Sequence, residues 1–213
     1  MVHLKQFVCN PYQENTYLLY DDQGNCAIID PGMYGQQEEN EFLKFINEQE
    51  LNPTLLLNTH CHIDHVLGNH FIHEHFGLLP QFHEGELPLL IEVQNYAPQM
   101  GIRYEISPIA DQFLGDTGVV SFGEEELQLI LVPGHSPAHL CFYHQKQKFV
   151  IGGDALFKGS IGRTDLPGGN HDQLLTSIRE KLYSLPDDVT VYPGHGPSTT
   201  IGEEKRSNPF VRG

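Results

Sequence analysis

Basic residues are scarce in this chain: 12 lysines and arginines stand against 28 aspartates and glutamates, for a net charge of −16. Such a surface repels phosphate backbones, and no basic stripe offsets it, so nucleic acid is a poor partner. Long apolar runs are missing too. None approaches the roughly 18 residues of a membrane helix, so no membrane partner is expected. The start, MVHLKQFVCNPYQ, lacks the basic-then-apolar layout of a secretory signal. Cysteine is sparse: Cys9, Cys26, Cys61 and Cys141 lie far apart without CxxC spacing. That excludes a disulfide framework and a cysteine-zinc site, and points to reduced, buried thiols in the cytoplasm. No repeat of a solenoid period is present.

What remains is enough for a sizeable core: 213 residues, 39% of them hydrophobic. TYLLY (16–20) and CAIID (26–30) read as strands joined by a turn at 21–24. Phe42, Phe45 and Ile46 give helical spacing within 37–51. TLLLN (54–58) is a strand-length apolar run. Helices are predicted over 66–76 and 86–100, a short strand over 78–82, and turns through 115–123. LQLILV (127–132), LCFYH (140–144), KFVIGG (148–153) and VTVY (189–192) read as strands. Asn170 and Gln173 form a capping box that opens a helix running to Tyr183. The order implies an α/β or α+β fold of two sheets with outer helices.

The chemistry lies at the strand ends. THCHIDHVLGNH (59–70) packs four histidines and an aspartate into one stretch directly after a strand. Asp30 in IIDPG, His135 in LVPGHS, Asp154 in VIGGDA and His195 in VYPGHG also follow apolar strands, each beside a glycine where the backbone can turn sharply. Imidazoles and carboxylates without thiolates are the donors of open catalytic metal sites. His60 and His62, two apart in extended chain, point to one side, and Asp64 and His65 can face a second point past a turn. The set suffices for two ions: His60, His62 and His135 at one, Asp64, His65 and His195 at the other, with Asp154 bridging. Two divalent ions can share a water whose pKa falls toward ~7, and the mouth of such a site is slightly positive, which suits a carboxylate or a developing oxyanion.

Together, THCHIDH, IIDPG, PGHS, GGD and PGHG resemble the five motifs of the metallo-β-lactamase superfamily, in its order, from Asp30 to His195. The resemblance implies an αββα sandwich, two mixed β-sheets flanked by helices, with the metal centre at one edge. It gives Asp30 a role behind the ligands, orienting them. β-Lactamases of the main zinc class have cysteine where Asp154 stands, so aspartate here favours the broader hydrolase branches. GDALFKGSIGRTDLPGG (153–169) and YPGHGPSTTIGEEKRSNPF (192–210) are similar to the hydroxyacylglutathione hydrolases, or glyoxalase II enzymes, which cleave S-D-lactoylglutathione to lactate and glutathione.

Two departures refine that resemblance. Full-length members insert a helical glutathione-binding segment before a tail like PSTTIGEEKRSNPF. Here the tail follows His195 at once, implying the short branch: one domain over 1–213 without the C-terminal helical domain. Arg163 matches the family's basic residue for a glutathione carboxylate, but Asp165 replaces the neighbouring aromatic. Arg163 is thus either a substrate contact or half of an internal ion pair with Asp165.

The function these features imply is a dinuclear metal-dependent thioesterase for a small-molecule, glutathione-derived thioester. The cofactors are two divalent ions, zinc first, with iron or manganese as alternatives. Asp64 and Asp154 would act with a bridging hydroxide that attacks the thioester carbonyl. The rivals are a mononuclear-iron persulfide dioxygenase, which shares the GRTD loop (162–165), and a lactonase of the same superfamily. PGHGP (193–197) favours the hydrolase. Beside these residues, Cys61 is expected to pack on the opposite face. His70, His73 and His75 are expected on a helix away from the metals, His83 at the pocket or the surface, and His139 and His144 in structural roles.

Overall fold

The computed structural model describes residues 1–110 and 112–213. In chain order the N-terminal part holds β1 (His3–Cys9), β2 (Glu14–Tyr20), β3 (Asn25–Ile29), α1 (Gln36–Glu48) and β4 (Asn52–Leu57), then α2 (Ile63–Val66), α3 (Asn69–Phe76) and α4 (Leu87–Tyr96). The C-terminal part holds β5 (Thr117–Phe122), β6 (Glu125–Leu131), β7 (Leu140–His144), β8 (Phe149–Gly153), β9 (Leu156–Phe157) and β10 (Ser160–Ile161). It ends with α5 (His171–Ser177), β11 (Thr190–Pro193), β12 (Thr199–Thr200) and α6 (Ile201–Ser207).

The strands form two mixed sheets, ordered β1-β2-β3-β4 and β12-β11-β8-β7-β6-β5, beside a β9-β10 ribbon. Period-two alternation explains how they stack. Tyr17, Leu19, Ala27, Ile29, Leu55 and Leu57 of the first sheet meet Leu127, Leu129, Leu140, Phe142, Phe149 and Ile151 of the second in one buried layer. The intervening residues face outward. Leu18, Cys26, Ile28 and Leu56 pack under Phe42 and Ile46 of α1 and Ile72 of α3. Cys141, Val150 and Val191 pack under Leu174 of α5 and Ile178 of the π-type turn that follows it. The result is helix, sheet, sheet, helix, which is the expected sandwich. Strands covered on both faces can be apolar throughout, as TLLL and LCFY are. Among the described residues no helix is long and apolar enough to cross a membrane.

Several expectations change in detail. β1 and α6 carried no prediction, and 115–123, read as turns, contains the edge strand β5. There Val120 and Phe122 reach the inter-sheet core while β5 pairs with β6. The segment 78–82 is not a strand of either sheet; it makes a single bridge, Gln81 to Leu57. The helix expected over 66–76 is split, since α2 ends at Val66 and α3 begins at Asn69. Helix α4 gives way to a 3₁₀ turn, Ala97–Met100.

Strand direction decides where the site lies. β3 and β4 are parallel, and so are β8 and β11. β6 runs antiparallel to β7, which runs antiparallel to β8, so β6, β8 and β11 all point one way. The loops after β3 and β4 thus leave one end of the first sheet, those after β6, β8 and β11 leave one end of the second, and the contacts among His60, His135 and Asp154 bring the two ends together. There the sheets are stitched together: Asn15 N–H donates to Gly194 O at 2.7 Å, Tyr17 Oη–H to Pro193 O at 2.7 Å, and Leu140 N–H to Thr59 O at 2.8 Å.

Candidate metal centre

Asp30 directly follows β3 with a left-handed backbone, φ 49°. Its Oδ1 accepts the Thr59 N–H at 2.6 Å and its Oδ2 accepts the Thr59 hydroxyl at 2.6 Å. The Thr59 oxygen, having donated its proton, accepts from His60 Nδ1 at 3.0 Å, so the free lone pair of His60 is on Nε2. His135 Nδ1 donates to the main-chain carbonyl of Arg163 at 2.8 Å, which likewise frees its Nε2. The two Nε2 atoms face each other at 3.2 Å, and His62 Nδ1 lies 3.0 Å from His135 Nε2. Lone pairs that close repel unless a cation lies between them. Burial, together with the crowd of neighbouring imidazoles, drives His60 well below the ordinary histidine range and His62 to about 3, so both rings are neutral and free to act as ligands. Three neutral imidazoles converging within ligand reach, with His62 Nε2 buried and without a hydrogen-bond partner among the described residues, fit a divalent ion.

The second cluster is built from carboxylates as well. Asp64 Oδ2 lies 3.1 Å from His195 Nε2 and 3.7 Å from His65 Nε2. His65 Nδ1 is held by Asp30 Oδ2 at 3.1 Å, which leaves Nε2 buried without a hydrogen-bond partner among the described residues. Burial opposes charge on His65 and His195, but the surrounding carboxylates outweigh it. His65 is raised well above the usual range, and hydrogen bonds to Asp154 and Asp64 lift His195 to about 9. Against burial, the same imidazoles hold Asp154 and Asp64 below the ordinary carboxylate range. An ion entering here replaces protons rather than filling a neutral gap.

Asp154 joins the two clusters. Its Oδ1 lies 3.0 Å from His195 Nδ1 and 3.6 Å from His65 Nε2, and its Oδ2 lies 3.6 Å from His135 Nε2. Two glycines leave room for it. A Cβ on Gly194 would fall onto Asp154 Oδ1 and lie 2.7 Å from His65 Cε1, and one on Gly162 would fall onto the Asp154 carbonyl.

Seven residues singled out by sequence thus come together in two groups able to hold a metal ion, His60–His62–His135 and Asp64–His65–His195, with Asp154 between. Asp30, His60 and His65 make a third group within reach, but the Asp30 oxygens are already engaged by Thr59. The Arg163 side chain is exposed and pairs with Asp165, Nε to Oδ1 at 2.7 Å. What Arg163 gives the centre is its carbonyl. Cys61 packs with Leu90 and Val93, away from the donors. His73 and His75 bond carbonyls of Leu78 and Phe71, and His83 braces Gly85 and Asp116. His144 pairs with Glu125. His139, fully buried, accepts the Asp154 N–H at 3.1 Å and so sits directly behind the bridge. Two further carboxylates, Glu14 and Glu86, are buried beside the ligand loops, although nothing in the local sequence sets them apart from surface acids. Glu14 accepts the Thr16 hydroxyl at 2.8 Å and lies 3.9 Å from His65 Nδ1.

Comparison with known proteins places this geometry. Residues 9–195 match the family described as the metallo-beta-lactamase superfamily. The hydroxyacylglutathione hydrolase GloC of Haemophilus influenzae is 39% identical over 207 residues, covering 94% of this chain and 93% of the relative. The crystal structure of BLEG-1, described as a B3 metallo-beta-lactamase, superposes with TM-score 0.90 at 34% identity over 99% of this chain and 100% of that one. TTHA1623, solved in a di-iron-bound form, gives TM-score 0.86 at 37% identity over 97% and 100%.

Proposed function

The chain belongs to the metallo-β-lactamase superfamily of metallohydrolases, and from that premise we propose that it hydrolyses a small thioester of the S-lactoylglutathione type with two divalent ions, zinc by preference, residues 1–213 acting as one domain in the cytoplasm. The observation that carries the dinuclear part is Asp154, whose two oxygens are turned to different clusters. His60, His62 and His135 would hold one ion, and Asp64, His65 and His195 the other. Ions bound there supply a water acidified toward neutrality and a Lewis acid for the carbonyl oxygen.

The chain's own groups do the rest. The carbonyl of Arg163 and the Thr59 hydroxyl fix the tautomers of His135 and His60. Asp30 orients His65. Asp64 and Asp154 would supply the negative charge that offsets bound ions. A departing thiolate, with an ordinary pKa near ~8.5, needs no dedicated acid. Arg163 would bind a glutathione carboxylate only by giving up Asp165. The GloC relative supports the glutathione thioester, and four unpaired, buried cysteines are compatible with a reducing compartment.

The deciding experiment is metal analysis of the purified protein with a panel of S-lactoylglutathione, other thioesters, lactones, a β-lactam and glutathione persulfide. About two ions per chain with thioester cleavage supports the proposal. One iron per chain with oxygen uptake on the persulfide replaces it with the dioxygenase.

A further inference from the structure

We infer that Glu86 is a positioning residue that sets the affinity of the His60–His62–His135 cluster for its ion by tying together the two loops that supply its donors; the inference rests on the metal reading above. Glu86 closes a 3₁₀ turn, Glu84–Glu86, immediately before α4, and is fully buried. Its Oε2 accepts the Cys61 N–H at 3.0 Å. Its Oε1 accepts the Ser136 hydroxyl at 2.7 Å and the Ala138 N–H at 2.7 Å. Cys61 lies between His60 and His62, so its amide cannot move without moving both. Ser136 follows His135. One carboxylate therefore fixes the spacing between the loop after β4 and the loop after β6, and through it the distances among three imidazoles.

The bonding partners are two main-chain amides and a hydroxyl. A buried carboxylate is costly and is tolerated where hydrogen bonds fill its lone pairs. Here those bonds come from two separate loops, which is what a staple requires. The turn is seated tightly, since a Cβ on Gly85 would lie 2.7 Å from the Ala138 Cβ. The effect is one-sided. None of the three bonds reaches Asp64, His65 or His195, whose orientation comes from Asp30 and from the strand end at Gly194.

The test is Glu86→Gln. The glutamine carbonyl keeps Ser136 and Ala138, but its amide nitrogen meets the Cys61 N–H donor to donor. Zinc is titrated against a chelating indicator, and cobalt(II) by its visible absorption, alongside His135→Ala, which marks the phase belonging to the first cluster. The expected result is that this phase weakens about 10–100-fold, its cobalt absorption changes, and the other phase keeps its wild-type affinity. Raising the metal concentration should restore occupancy, which a folding defect would not allow. Ser136→Ala, which deletes one bond of three, should weaken the same phase by less and carries the test if Glu86→Gln does not fold. Wild-type affinity in both phases, or equal weakening of both, overturns the inference. A wild-type protein with a single phase would overturn the dinuclear reading beneath it.

Discussion

Asp30→Asn tests how the second cluster is oriented, and its size can be worked from the contacts. The position has φ 49°, a conformation asparagine adopts with little strain, so the backbone should survive where alanine would not. The side-chain oxygen can keep the Thr59 N–H bond now made at 2.6 Å. The new amide nitrogen then faces the Thr59 hydroxyl and His65 Nδ1. The hydroxyl can rotate and accept. His65 cannot keep a proton on Nδ1 against another N–H, so it switches tautomer and carries the proton on Nε2. That is the nitrogen needed for a metal. Losing a hydrogen bond to a charged group costs about 1.5–3 kcal/mol, which is about 10–100-fold in affinity for the Asp64–His65–His195 cluster. The first cluster, linked to Asp30 only through Thr59 and His60, should weaken less. Two-phase metal titration, with urea unfolding as the stability control, reads both effects. Wild-type affinity at the second cluster in a folded variant would show that Asp30 does not set the tautomer of His65.

Other perturbations separate the remaining parts. Asp154→Ala should leave at most one tightly held ion, and two ions at wild-type affinity would refute the bridging assignment. In metal-depleted protein, His195 has a pKa of about 9 against an ordinary 6.5. Its stabilising contribution is therefore complete below pH 6.5 and lost as pH rises through about 9, so urea midpoints should fall across that window; a flat profile counts against the charged cluster. Gly194→Ala should cost about 1–3 kcal/mol and impair metal loading, as read by thermal unfolding and metal content. Arg163→Ala breaks an exposed, solvent-screened pair and should leave the thermal midpoint essentially unchanged. It should raise KM for glutathione thioesters more than for thioesters of a carrier without the glutathione carboxylates, and equal effects on both would remove Arg163 from the substrate site.

The donors were readable because each follows an apolar strand and precedes or contains a tight glycine turn, a pattern visible along the chain. Parallel strands then carry them to one edge. Two sheets with outer helices were readable from the alternation of strand-length and helical apolar patterns, while the αββα stacking came from the resemblance of the five motifs, because how two sheets face each other is a tertiary property. β5 was hidden because Gly118 and Gly123 look like turn residues, and only pairing with β6 makes TGVVSF a strand. Glu14, Glu86 and His139 were not readable as parts of the centre, because burial beside a ligand loop is a tertiary property. The Arg163 carbonyl was missed for a different reason: every residue has one, and sequence says nothing about which carbonyl meets an imidazole.

Each cluster draws its donors from both halves of the sandwich. His60, His62, Asp64 and His65 hang from the sheet that β4 borders, while His135, Asp154 and His195 follow β6, β8 and β11 of the other. An ion held in either cluster would therefore be a clasp across the seam between the sheets, fastened at the edge where Asn15 and Tyr17 already reach over to Pro193 and Gly194. Prising the halves apart would then mean letting the ions go. Resistance to protease and hydrogen exchange along that seam should follow the free metal concentration, and chelation should loosen the sandwich from its working edge inward.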